Sequence, residues 1–142
     1  MTEREKIVET VNKLFIYTDE QNWDGLQEEV FTVTVFLDMT SMGGTDSNVT
    51  SAAICDMWNE GFKDLDAVNH LAGNYLVNVV SDQTADVFAY ATATHYKEAA
   101  KNGTTREFVG TYDLKLSNTA MGWRIYSMKY NLKYSQGNML LE

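Results

Sequence analysis

Apolar residues return every three or four positions early in the chain and every second position after residue 69, so the sequence divides into a helical first part and a strand-rich second part. Thr2 followed by Glu5 has the spacing of a capping box. Ile7, Val8, Val11, Leu14, Phe15 and Thr18 then share one side of a helix over about residues 3–18. Asn22 is placed to cap a second, short helix over about 22–29 carrying Trp23 and Leu26. Thr32–Met39 begins by alternating threonine and valine as a strand does, and Thr40–Ser47, with Gly43 and Gly44, reads as a flexible loop. Ile54, Met57, Trp58 and Phe62 set the apolar side of a third helix over about 50–62. Asn74–Val80, Ala85–Tyr96, Thr105–Leu116 and Trp123–Tyr134 are the strands of the second part. Their short turns make neighbours antiparallel. Helices gathered early and a long meander late predict an α+β domain with helices covering one face of a curved sheet.

Composition narrows the function classes. The chain has 142 residues, 44% hydrophobic and 22% charged, which fits a single domain over 1–142 with a core that needs no staple. One cysteine, Cys55, and two histidines exclude a disulfide scaffold and a structural zinc site. A net charge of −9 opposes nucleic acid and anionic membranes. The charged start of the chain and the absence of a long apolar run predict a soluble, cytoplasmic protein. No dinucleotide, phosphate-loop, HExxH, CxxC or GxSxG pattern is present, and no cofactor is expected.

The remaining candidates for chemistry are ionisable residues in unusual positions. Asp19 lies one turn beyond Phe15 at the edge of the first helix's apolar stripe; it either carries a carboxylate toward the core or caps the turn that follows. His70 enters a strand. His95 ends the strand whose same-face neighbours Ala89, Ala91 and Ala93 are small enough to leave room for a packed helix or for a ligand. Tyr112 and Asp113 occupy opposite faces of one strand, so at most one of them reaches a shared pocket. Tyr17 points about 160° away from Asp19 on the helical wheel, and Trp58 is placed to wall a pocket or pack the core. Phe88, Tyr90 and Tyr96 share the strand side away from the alanines, where a second copy of the chain would cover them.

Tyr17–Leu26, Asn69–Asn74, Gly110–Tyr112 and Gly122–Ile125 resemble the SnoaL-like group of the nuclear transport factor 2-like superfamily, most closely scytalone dehydratase and the bile-acid 7α-dehydratases. The resemblance implies a cone-shaped α+β domain enclosing one deep pocket, commonly a homodimer, with a small-molecule ligand. It implies that Asp19 orients a catalytic His70 and that His95 is a second pocket histidine, expected to be catalytic; Tyr17, Trp58, Tyr112 and Asp113 are the substrate-binding candidates beside them. Thr18 stands where scytalone dehydratase has a tyrosine, and that enzyme's Ser/Asn pair is replaced around Tyr112 and Asp113. The expected activity is a cofactor-free dehydratase-like lyase or isomerase; the alternative is a non-catalytic binding or dimerisation module of the same fold.

Overall fold

Thr2 opens the first helix by reciprocal bonding: its Oγ1 accepts from the Glu5 N–H at 3.1 Å, and Glu5 Oε2 accepts from the Thr2 N–H at 3.4 Å. In a computed structural model describing residues 1–142, this helix, α1, runs Glu3–Asp19 and buries Ile7, Val11, Leu14, Phe15 and Thr18 on one face. Gln21, at φ 55°, turns the chain, and Asn22 Oδ1 accepts from the Gly25 N–H at 2.9 Å to open α2 (Trp23–Gly25). A Cβ at Gly25 would lie 2.8 Å from the Tyr17 ring, so the crossing of the two segments requires glycine. The expected second helix is therefore a single α-turn continued by a π-helical turn, Leu26–Val30, which delivers Leu26 and Val30 to the core. The third helix, α3 (Ser51–Phe62), starts where Thr50 Oγ1 accepts from the Ala53 N–H at 3.1 Å.

Six strands form one sheet in the order β2-β1-β6-β5-β4-β3. They are β1 (Phe31–Asp38), β2 (Asp46–Thr50), β3 (Ala67–Val79), β4 (Thr84–Tyr96), β5 (Thr105–Thr119) and β6 (Gly122–Gly137). β1 and β6 pair in parallel and every other pair is antiparallel, as the α+β expectation of a mainly antiparallel sheet requires. β5 and β6 each run three residues beyond the expected ends, and two boundaries differ more from the sequence reading. The flexible loop expected over Thr40–Ser47 is a 3₁₀ turn, Thr40–Met42, reversed at Gly43 and followed by the edge strand β2. Asp46, Ser47 and Asn48 are exposed and give no alternation; backbone pairing to β1 makes them a strand. β3 begins at Ala67 rather than Asn74 because the register shifts between Gly73 and Leu76, with Asn74 at φ 55°. This bulge changes the inward set from Val68, His70 and Ala72 to Tyr75 and Val77, which hides the period of the whole strand.

The core lies between α1, α3 and the concave sheet face, with Ile7, Val11, Leu26, Ile54, Leu116 and Ile125 fully buried. On β4, Ala85, Val87, Ala89 and Ala91 are buried on the inner face, while Phe88 and Tyr90, 5.7 Å apart and edge to face, lie half-buried on the outer one. Toward Ala93 and His95 the small inner side chains leave space open. No helix is long and apolar enough to cross a membrane.

Candidate active site

That space is a cavity of about 360 Å³. Leu14, Phe15 and Thr18 of α1, Met39, Met42, and Trp58 and Phe62 of α3 wall one side. The sheet contributes His70, Ala93, His95, Arg106, Phe108, Tyr112, Met128 and Tyr130. Strand register explains the grouping. Val68, His95 and Arg106 are cross-strand neighbours in one row, and His70, Ala93 and Phe108 form the next. Side chains two apart on a strand share a face, so the two histidines are diagonal neighbours above the methyl of Ala93.

Asp19 reaches the first histidine because α1 continues through it: the carboxylate sits one turn after Phe15 on the buried stripe and does not cap a following turn. Asp19 Oδ2 accepts from the His70 backbone N–H at 2.8 Å, and Asp19 Oδ1 lies 2.5 Å from His70 Nδ1. An ionised carboxylate only accepts, so the pair places the imidazole proton on Nδ1 and leaves Nε2 with its lone pair. The Phe15 ring, 5.6 Å from the imidazole, covers the pair, whose side chains keep 10% (His70) and 20% (Asp19) of their exposure.

His95 is held differently. Arg106 Nε donates to His95 Nδ1 at 3.0 Å, and the ring sits between Phe62 and Phe108, 5.4 and 5.5 Å away. Burial, then the Arg106 charge, push its pKa down to about 4; His70 adds to this and the Asp19 charge opposes it. Tyr112 also faces inward, its ring edge-on to Phe15 at 5.3 Å and 4.9 Å from that of Tyr130. Burial raises the pKa of both phenols, first among the causes at Tyr112, so both stay protonated donors. The Tyr130 hydroxyl is fully buried and has no hydrogen-bond partner. It lies over Gly110, where a Cβ would approach it to 2.6 Å.

Five of the seven candidates from the sequence thus meet: Asp19, His70, His95, Trp58 and Tyr112 are in or against the cavity. Two do not. Tyr17 points away from it and donates to Glu29 Oε2 at 2.9 Å, as its place on the helical wheel dictates. Asp113 is exposed on the outer sheet face and accepts from Asn131 Nδ2 at 2.9 Å, because strand parity gives the inner position to Tyr112. Arg106, Phe108 and Tyr130 were missed. The first two share parity with Tyr112 along β5, a signal present in the sequence, but the pairing of Arg106 with His95 depends on the register of a long hairpin. No group of three His, Cys, Asp or Glu side chains is placed to hold a metal ion.

The family model described as a SnoaL-like domain matches residues 1–129. Among solved structures, the Kfla4162 protein from Kribbella flavida is similar at 25% identity and a TM-score of 0.92, covering 98% of this chain and 96% of that one. A protein from Novosphingobium aromaticivorans provisionally assigned as a scytalone dehydratase is similar at 14% identity and a TM-score of 0.81, over 96% and 87% of the two chains. The hexachlorocyclohexane dehydrochlorinase LinA-type3 from Novosphingobium barchaimii gives 10% identity and a TM-score of 0.77, over 94% and 88%. These likenesses establish a nuclear transport factor 2-like fold. No curated protein matches the chain.

Proposed function

Because the chain belongs to the SnoaL-like domain family, we propose that it is a cofactor-free, dehydratase-like lyase or isomerase acting on a small apolar hydroxy-carbonyl compound, with Asp19 and His70 as its general base. The observation that carries this reading is the orientation of His70. Both oxygens of Asp19 are engaged by residue 70, and the remaining ring nitrogen belongs to a side chain that lines an apolar cavity. Such a pair abstracts a proton next to a carbonyl: Nε2 takes it, and the Asp19 charge stabilises the imidazolium. The Cα–H and Cβ–O bonds then break, a C=C bond forms, and the proton held on Nε2 passes to the departing hydroxyl, which leaves as water. The apolar wall of Phe15, Trp58, Phe62 and Phe108 excludes bulk water, and hydroxyl donors such as Tyr112 favour the enolate. Elimination is also the chemistry named for two proteins of similar fold, a dehydratase and a dehydrochlorinase.

The test is conversion of 3-hydroxy-1-tetralone to 1-naphthol, which differ by one water, together with exchange of the α-protons of 1-tetralone in deuterated solvent. Either reaction, lost in His70→Ala with the fold intact by circular dichroism, supports the assignment. Tight binding of bicyclic ketones without turnover or exchange would instead make the protein a binding module. The outer face bearing Phe88 and Tyr90 is proposed to pair with a second copy of the chain. Sedimentation showing only monomer at micromolar concentration would refute that pairing.

A further inference from the structure

The elimination reading leaves His95 without a distinct role, although its surroundings are the more constrained. Arg106 Nε–H donates to Nδ1 at 3.0 Å, and an arginine neither accepts a hydrogen bond nor gives up its proton, so Nδ1 presents its lone pair. A neutral imidazole carries one N–H, which then resides on Nε2. The hydrogen bond to the ring is made at Nδ1 and leaves Nε2 free, on a ring that lines the cavity between Phe62 and Phe108. Arg106 is itself anchored. Its Nη1 donates to the Met139 carbonyl at 2.9 Å, in a segment, Asn138–Glu142, whose Leu141 is buried. The segment is tied back by the Asn138 N–H to the Thr105 carbonyl at 2.9 Å and by the Lys101 and Asn102 N–H groups to the Glu142 carbonyl at 3.0 and 2.9 Å. The guanidinium therefore bridges a docked segment and the imidazole, and cannot follow the ring if it turns.

We propose that Arg106 is a positioning residue that fixes His95 as the neutral Nε2–H tautomer, so that His95 donates a hydrogen bond to an oxygen of the bound ligand and does not act as a base. The identity of that oxygen rests on the elimination reading: it is the carbonyl oxygen, neutral in the substrate and negatively charged in the enolate. A donor held in place among apolar side chains gains most as that charge develops. A neutral donor suits a neutral ketone. The surroundings of the ring agree with this: burial first, then Arg106 from β5, and His70 from β3 whenever it holds a second proton, oppose its protonation, and Asp19 from α1 favours it without prevailing.

Two-bond proton–nitrogen correlation spectra of the ¹⁵N-labelled chain decide the tautomer. The protein has two histidines, so a His70→Gln variant leaves His95 alone in the spectrum. The expected result is an acceptor-type Nδ1 and a protonated Nε2 between about pH 5 and 8, unchanged in Asp19→Asn. Arg106→Met should give a tautomer mixture and an upward-shifted His95 titration, and Arg106→Lys should restore part of the wild-type pattern. With 3-hydroxy-1-tetralone, Arg106→Met should lower kcat about tenfold with a smaller change in KM. An Nδ1–H tautomer or an imidazolium in the wild-type chain at neutral pH overturns the proposal, as does an unchanged tautomer in folded Arg106→Met. If Arg106→Met does not fold, the His70→Gln spectrum alone decides. The expected tautomer in a protein that neither turns over the hydroxyketone nor exchanges 1-tetralone upholds the Arg106–His95 assignment and removes the elimination reading.

Discussion

His70 and His95 occupy adjacent strands of one sheet, face the same cavity and sit diagonally across a single alanine, yet the chain prepares them for opposite chemistry. At His70 the partner is a carboxylate that takes the Nδ1 proton's hydrogen bond and leaves a lone pair on Nε2. At His95 the partner is a guanidinium that fills the Nδ1 lone pair and leaves an N–H on Nε2. A neutral imidazole has one donor and one acceptor nitrogen; the group bonded to Nδ1 decides which of the two Nε2 presents. Two identical side chains thus give one acceptor and one donor in the same cavity, the combination that the proposed elimination calls for.

This contrast can be broken at several points. His70→Ala should have the largest effect, lowering kcat/KM on the hydroxyketone by about 10⁴-fold, with circular dichroism excluding loss of fold. Asp19→Asn should follow at about 10²–10³-fold. The amide keeps the shape but can present its NH₂ to the ring, so His70 would lose both its charge partner and its fixed tautomer. His95→Phe should lower kcat by about 10²-fold, because it removes the proposed donor and leaves the proposed general base at His70 in place.

The pH dependence of stability separates the two further. The folded pKa of His95, about 4, lies below its ordinary value of 6.5. Between those values the unfolded chain binds a proton that the folded chain refuses, so stability falls as pH drops from about 6.5 toward 4. The loss is about 1–3 kcal/mol, and His95→Phe should flatten that part of the melting-temperature profile. The smallest effect is expected at Tyr17→Phe. Its hydroxyl bonds Glu29 outside the cavity, so turnover should stay within about twofold and stability within about 1 kcal/mol. A large kinetic loss there would mean that the cavity wall extends beyond α1's buried stripe.

The sequence was most informative where one element sufficed. The stripe of α1, ending in Asp19, the cap at Thr2 and the inner alanines of β4 are each properties of a single segment with a single period. They located a carboxylate and a histidine on faces that could converge, and parity along β5 established that Tyr112 and Asp113 could not both enter the cavity. The resemblance to a known family joined Asp19 to His70 across elements whose relation no local pattern contains.

What the chain determined by itself is therefore the set of faces: which helix side is apolar, which strand positions share a side, and which ionisable residues interrupt them. Tertiary structure decided everything that needed register. The bulge at Gly73–Leu76 sets which half of β3 turns His70 inward, pairing to β1 makes a strand of the polar Asp46–Thr50, and the β4–β5 hairpin sets Arg106 beside His95. The physical reason is that a strand residue has only two orientations, readable from period two, whereas its cross-strand partner depends on loop length and bulges, which leave no period in the sequence.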